Sequence, residues 1–132
     1  MTPEISGGGV LGEKIQGPRR QLDTFILPPS NAEVQYDTDE VSSLCPITGQ
    51  PDWYMVSISL KGSDKGLESK SLKLYLQSYR EEGQFCEEFA ATIAADVMEA
   101  TGAQSISVQV KQKPRGGVSI LATSLLQKGP VL

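Results

Sequence analysis

The stretch SKSLKLYLQSYREEGQFCEEFAATIAADVMEATG, residues 69–102, decides the fold because it carries two successive helical patterns. In the first, apolar residues recur at helical spacing over residues 69–82, and Gly83 ends the run. These apolar residues are Leu72, Tyr75, Leu76 and Tyr79. The second pattern covers about residues 87–101 before Gly102, with four apolar side chains on one stripe. They are Phe85, Phe89, Ile93 and Val97. The sequence therefore predicts two consecutive amphipathic helices.

Patterns typical of strands flank this helical pair on both sides, and they alternate between apolar and polar side chains. The strand segments are residues 34–41, 53–60, 105–110 and 118–121. Turns are expected at residues 62–66 and 114–117, which contain glycine and proline. Two strands, two helices and two strands fit an antiparallel four-stranded sheet with both helices on one face. The predicted fold class is thus α+β, in the order ββααββ.

Such a sheet leaves its second face and two edges uncovered. Depending on the register, the positions outside the core include Tyr54, Val56, Ile106 and Val108, or their neighbours. An apolar face of this kind would be buried by association between subunits. We therefore expect a ring or larger homo-oligomer, with functional sites at the subunit borders.

Length and composition limit the function classes. The chain has 132 residues, and we expect a Gly-rich flexible tail over residues 1–21 followed by a single domain over residues 22–132. A net charge of −4 argues against a general binder of nucleic acid or anionic membranes. No apolar run approaches the ~20 residues of a membrane-spanning helix, and the N-terminus lacks the apolar core of a signal peptide. A cytoplasmic protein with reduced cysteines is expected.

The chain contains no histidine. It therefore cannot form a Ser-His-Asp triad or a Cys-His pair, and a standard catalytic zinc site within one subunit is excluded apart from a carboxylate-rich one. We expect no metal. A nucleophilic cysteine in this chain would have to be activated by something other than an imidazole.

The segment CPITGQPD sets Cys45 seven residues before Asp52, on a loop stiffened by two prolines and a glycine. Covalent catalysis on an electrophilic carbon requires at least a nucleophile, such as a thiolate, and a proton donor in fixed positions, and a rigid loop can hold both. Taken alone, Cys45 could instead be a small buried apolar residue, and Asp52 could simply hydrogen-bond its own loop. The loop predicts a nucleophile and an acid only in combination with further matching segments.

Five parts of the sequence match one known family: LDTF at 22–25, SLCPITGQPDW at 43–53, ESKSLKLYLQSYREEGQF at 68–85, Glu87, and PRGGVSI at 114–120. In these segments the chain resembles the NADPH-dependent 7-cyano-7-deazaguanine reductases, the nitrile reductases of queuosine biosynthesis and tRNA modification, in their short unimodular form. Together they run from about Leu22 to about Leu121 in the family's order. The resemblance implies the tunnelling fold (T-fold) and a ring, a decamer of two pentamers.

The resemblance also implies a role for each matching residue. Cys45 matches the nucleophile that forms a thioimide with the nitrile carbon, and Asp52 matches the general acid. Two hydrides from NADPH would then complete the reduction to 7-aminomethyl-7-deazaguanine. The residues that match substrate-binding positions are Leu67, Glu68, Ser69, Cys86 and Glu87. Those that match cofactor-binding positions are Lys70, Lys73, Arg115 and Gly116. The substrate would be a small molecule, and no direct contact with nucleic acid is expected.

The chain departs from the family at Cys86, where family members usually carry a histidine. A thiol is a smaller and weaker donor than an imidazole, so the change bears on the efficiency of reduction. Cys86 could also form a reversible disulfide with Cys45.

Two alternative functions remain open: an amidinotransferase-like relative that resolves the thioimide with an amine, or a deazaguanine-binding member with impaired turnover. The alternative to cofactor binding is a purely structural role, in which Lys70 and Lys73 form a solvated helix face and Arg115 belongs to a turn.

Overall fold

The computed structural model describes residues 20–129, so the predicted flexible tail lies outside the described residues except for its last two positions. The elements in chain order are β1 Thr24–Ile26, β2 Glu33–Leu44, β3 Pro51–Lys61, β4 Lys65–Leu67, α1 Ser69–Gln77, α2 Cys86–Thr101, β5 Ser105–Arg115 and β6 Val118–Gln127. In this part of the chain, no helix is long and apolar enough to cross a membrane.

The main sheet has the strand order β2-β3-β5-β6, and every neighbouring pair is antiparallel. Both helices contribute to a single core with one face of this sheet, and α2 packs on β5 and β6. The α+β class and the order of strands and helices predicted from the sequence are thereby confirmed. The other face of the sheet is not covered by any element within residues 20–129.

The register decides which side chains form the core. All four residues that the sequence left open between the two faces lie in the core, at most 2% exposed. They are Tyr54, Val56, Ile106 and Val108. Their neighbours point to the uncovered face, where Met55, Lys111 and Leu121 lie side by side across three strands. That face is mixed in polarity rather than apolar, so the expected oligomer does not follow from this face alone.

A small second sheet was not predicted. The residues expected to form a turn, 62–66, extend into β4, which pairs with β1 so that Thr24 lies opposite Leu67. Gly66 lies in β4 against Leu27, and a Cβ on this glycine would come within 2.7 Å of the Leu27 side chain. Three-residue strands show too little alternation to be recognised from the sequence.

The end of α1 is tied to the strand that precedes Cys45. The helix ends at Gln77 rather than at residue 82, and shorter turns carry the chain on to Glu82. Leu44, the last residue of β2, then donates its N–H to the Glu82 carbonyl (2.8 Å) and accepts the Gln84 N–H (3.1 Å). The backbone on one side of Cys45 is therefore fixed by the segment between the two helices.

Candidate active site

Cys45 lies at the start of the loop that joins β2 to β3, and both of its backbone polar groups are satisfied within that loop. Its N–H donates to the Gln50 carbonyl, and its carbonyl accepts the Gly49 N–H, each at 2.8 Å. Gly49 has φ +73°, a conformation that a residue with a side chain rarely adopts. The loop therefore holds Cys45 in a fixed position, as the prolines and glycine of the sequence indicated.

The Cys45 sulfur is surrounded by hydrogen-bond donors, although the residue is only 9% exposed. The Thr48 hydroxyl, the Thr48 backbone N–H, the Arg115 guanidinium and the Ile47 backbone N–H, in that order, lower the pKa of the thiol to about 6. Burial opposes them with the smallest effect of the five causes. Cys45 is therefore mainly a thiolate at neutral pH, without any imidazole nearby.

Thr48 is the residue of this site that sequence reasoning missed. It lies three positions after Cys45, a spacing at which a side chain can reach back to the residue that opens a turn. Its hydroxyl also accepts the Gln50 N–H (3.2 Å), which holds the threonine side chain against the loop. The spacing Cys-x-x-Thr within a Pro/Gly loop was the available signal.

Asp52 and Arg115 form an ion pair beside the thiol. Arg115 Nη1 lies 2.9 Å from Asp52 Oδ1, and the side chains are 38% and 6% exposed respectively. Asp52 is on β3 opposite Ser43 of β2, and the Ser43 hydroxyl hydrogen-bonds the buried Tyr54 hydroxyl at 2.7 Å. The structure thus brings Cys45, Asp52 and Arg115 together from three separate strand ends.

Cys86, the first residue of α2, lies in the core close to this group. It is 1% exposed, and its thiol donates to the Val110 carbonyl at 3.3 Å. Burial, then the charge of Glu87 and more weakly that of Asp52, raise the Cys86 pKa, so this thiol stays protonated. Glu87 is exposed at the next position of the helix. Both cysteines are free thiols, and the disulfide between Cys45 and Cys86 stays a prediction.

The remaining predicted site residues cluster at the start of α1. The Glu68 carboxylate caps the helix, accepting the Ser71 N–H (2.9 Å) and the Lys70 N–H (3.0 Å). Leu67 is buried and donates its N–H to the Tyr36 hydroxyl (2.9 Å). The side chains of Ser69, Lys70 and Lys73 are exposed. Ser69 and Lys73 border a cleft of about 300 Å³ between α1 and β2.

These two groups of predicted residues are far apart within one chain. Tyr36, which contacts Leu67, precedes Leu44 by eight residues of β2, and this corresponds to about 25 Å at ~3.3 Å per residue. Cys45, Asp52, Arg115 and Cys86 therefore lie at one end of the sheet, and the start of α1 lies toward the other. Within residues 20–129, no group of three or more metal-ligating side chains is positioned to hold a metal ion.

Comparison with known proteins identifies the family. A family model described as "QueF-like protein" matches residues 51–128. A protein of Frankia casuarinae named "NADPH-dependent 7-cyano-7-deazaguanine reductase" is 40% identical over 109 residues, which is 83% of this chain and 87% of the relative. Proteins of the same name from Streptococcus thermophilus and Staphylococcus aureus (strain Newman) are 46% and 47% identical over 87 residues. These alignments cover 66% of this chain and about half of each relative, 53% and 52%.

A solved structure also matches. The crystal structure of "the archaeosine synthase QueF-Like in the apo form" superposes with a TM-score of 0.70 at 26% identity, covering 76% of this chain and 99% of the other. This match confirms the tunnelling fold predicted from the sequence. With the family model covering more than half of the chain and a relative 40% identical along most of it, the chain belongs to the QueF-like protein family.

Proposed function

We propose that the protein reduces the nitrile of 7-cyano-7-deazaguanine to the aminomethyl group of 7-aminomethyl-7-deazaguanine, with NADPH as reductant, in queuosine biosynthesis. The observation that carries the proposal is the Cys45 thiol, whose pKa is lowered to about 6 beside the Asp52 carboxylate. The names of the relatives supply the substrate and the cofactor. The reaction suits a cytoplasmic enzyme because its nucleophile has to stay reduced.

In the proposed mechanism, the Cys45 sulfur adds to the nitrile carbon while the nitrogen takes a proton from Asp52, giving a thioimide. NADPH, when bound, supplies two successive hydrides, which match the four electrons between a nitrile and an amine. The sulfur leaves between the two reductions and returns to the thiolate. The donors around Cys45 serve both steps, because they stabilise the sulfur as attacking group and as leaving group.

The exposed cations on α1 fit the phosphates of a dinucleotide. Lys70 and Lys73 are one helical turn apart on a solvent-facing side of α1, and Lys73 borders the cleft between α1 and β2. We assign Lys70, Lys73, Arg115 and Gly116 to cofactor binding. Glu68 and Glu87 would accept the adjacent N–H donors of the deazaguanine edge, together with Leu67, Ser69 and Cys86 at the same ring.

This assignment requires a homo-oligomer. Glu87 lies beside Cys86 near Asp52, whereas Glu68 follows Leu67, which contacts Tyr36 about 25 Å along β2 from Leu44. We infer that this separation is too large for both carboxylates of one chain to reach a single deazaguanine. We infer that Glu68 of one subunit joins Cys45 and Glu87 of a neighbouring subunit. A closed ring, such as the decamer of two pentamers, repeats this contact at every border.

One observation favours a second candidate. The superposition with an archaeosine synthase supports a transferase that forms the same thioimide and resolves it with an amine. The exposed Lys70 and Lys73 favour the reductase, since a transfer to an amine needs no dinucleotide. The two functions can be distinguished by the co-substrate that is consumed, which is NADPH for the reductase and an amine for the transferase.

The deciding experiment mixes the purified protein with the nitrile and follows NADPH absorbance and the intact mass of the protein. We expect two NADPH oxidised per nitrile and no turnover in Cys45→Ala. A covalent adduct that forms without oxidation, and that ammonia converts to an amidine, would establish the transferase instead. Absence of both adduct and oxidation would overturn the proposal.

Complementation tests the shared site. Cys45→Ala and Glu68→Gln variants are each expected to be inactive, and glutamine keeps an oxygen for the helix cap. When the two are co-expressed in equal amounts, about one quarter of the borders in a closed ring combine an intact Cys45 with an intact Glu68. We expect about a quarter of the wild-type activity to return. A mixture as inactive as its components would place both residues in one chain's site, or would show that Glu68 has another role.

A further inference from the structure

Arg115 is exposed, and its side chain contacts the reacting groups of the site. It is the last residue of β5, directly before a turn in which Gly116 and Gly117 have φ +63° and +80°. Its guanidinium pairs with Asp52 at 2.9 Å and lies close enough to the Cys45 sulfur to lower the pKa of that thiol. The resemblance to the family assigned this residue to the cofactor, and it gave no reason to expect these contacts.

The shape of the guanidinium permits both contacts at once. Arginine presents several N–H donors in a rigid plane, so one nitrogen can serve Asp52 while another serves the sulfur. A lysine has one nitrogen on a flexible stem and cannot hold two acceptors in a fixed relation as well. The arginine is 38% exposed while its partner Asp52 is 6% exposed, so its charge reaches the site from the solvent side.

We propose that Arg115 is a positioning residue that holds the Cys45 sulfur and the Asp52 carboxylate together and charged before substrate binds. In this chain it fills the place that an imidazole occupies beside many cysteine nucleophiles. The inference rests on the proposed function in taking Cys45 as the nucleophile, and it adds how that nucleophile is activated and aligned with its acid.

The other ionisable groups around this arrangement are neutral or negative. From β3, Tyr54 contributes a buried hydroxyl whose pKa is raised chiefly by burial. From α2, Cys86 contributes a protonated thiol, and Glu87 contributes a negative charge. None of these groups favours a thiolate, so the positive charge that stabilises it comes from Arg115, together with the neutral donors of Thr48 and Ile47.

The proposal has a chemical consequence for the proton. In the resting site the Asp52 carboxylate is paired with Arg115, and thioimide formation needs one proton for each sulfur–carbon bond formed. The proton therefore enters from solvent through Asp52 when Arg115 releases the carboxylate. The balance is a thiolate, a nitrile and one proton giving a neutral thioimide, with Asp52 returning to the carboxylate.

The test measures the alkylation rate of Cys45 by iodoacetamide as a function of pH, with peptide mass analysis to separate Cys45 from Cys86. This readout needs neither substrate nor cofactor, so it can fail independently of the proposed function. We expect a wild-type midpoint near pH 6. In Arg115→Ala the midpoint should rise by about one pH unit, and in Arg115→Lys by less, because part of the charge is retained.

Two further variants make the outcome specific. Asp52→Asn frees the guanidinium for the sulfur and removes a neighbouring negative charge, so its midpoint should lie at or below that of wild type. Lys113→Ala removes a positive charge from an exposed position of the same strand and should leave the midpoint unchanged. An Arg115→Ala protein that melts like wild type and keeps its midpoint would overturn the proposal. Equal shifts in Arg115→Ala and Lys113→Ala would also overturn it.

Discussion

Replacing Thr48 by valine removes the hydroxyl that contributes most to the low pKa of Cys45, while nearly preserving the shape of the side chain. Four groups together lower this pKa from about 9 to about 6. Equal shares would give each group slightly less than one pH unit, and the Thr48 hydroxyl has the largest share. We therefore expect Thr48→Val to raise the Cys45 midpoint by about one unit.

The predicted change depends on pH in a characteristic way. At pH 6 about half of the wild-type sulfur is thiolate, compared with about one tenth in a protein whose midpoint is near 7. The alkylation rate at pH 6 should thus fall about fivefold in Thr48→Val. At pH 9 both proteins are almost fully ionised, and the variant should react as fast or slightly faster, because nucleophilicity rises with pKa.

The assay follows iodoacetamide labelling of Cys45 from pH 5 to 10 in wild type, Thr48→Val and Thr48→Ser. The serine variant keeps the hydroxyl and should retain the low midpoint. A wild-type midpoint above pH 8 would show that the loop donors do not act as the structure indicates. Identical profiles for the valine and serine variants would show that the hydroxyl is not the group responsible.

Three further results are expected. Phe89→Ala should lower the free energy of unfolding by about 3–5 kcal/mol in chemical denaturation, because Phe89 is fully buried against two tyrosine rings; Phe25→Ala, at a half-exposed position, should cost far less, and equal losses would contradict the assigned core. At pH 7 iodoacetamide should label Cys45 well before Cys86, whose pKa burial raises; equal rates would contradict the buried position of Cys86. Burial, and then Asp96, raise the pKa of Tyr75 in the folded protein. The stability that protonated Tyr75 contributes is therefore present below the unfolded tyrosine pKa of about 10 and is lost as the pH rises above it. A free energy of unfolding that stays constant from pH 9 to 11 would refute this linkage.

Local patterns predicted the helices well because each pattern lies within one short segment. Phe89, Ile93 and Val97 are buried as their spacing indicated. Phe85, the fourth residue predicted on that stripe, precedes α2 as its N-cap and is 49% exposed. The sheet register could not be predicted in this way, since Trp53 to Val56 is apolar on both faces and alternation alone does not tell which set faces the helices. The pairing of β1 with β4 joins segments about forty residues apart, so no local signal reports it.

The residues of the candidate site also differ in how far the sequence could predict their contacts. Cys45 and Asp52 are close in sequence, so the stiff loop between them indicated that they lie near each other, whereas their roles were implied only by the family resemblance. Arg115 reaches them only because β3 pairs with β5, with Tyr54 opposite Gln112. A sequence pattern cannot report a contact across sixty residues unless the strand register is known. Thr48 was visible in the sequence, but its function depends on how the loop closes around the sulfur.

The proposed enzyme divides its chemistry between what one chain assembles and what a second chain completes. The nucleophile, its activating donors and its acid are held together by β2, β3 and β5 of a single chain. The Glu68 carboxylate lies toward the other end of the sheet, where it caps α1 and is held in a fixed orientation. Dissociation of the oligomer should therefore abolish recognition of deazaguanine while leaving the alkylation profile of Cys45 unchanged. In this proposal, activation of the thiol is a property of the fold, whereas selection of the substrate is a property of the assembly.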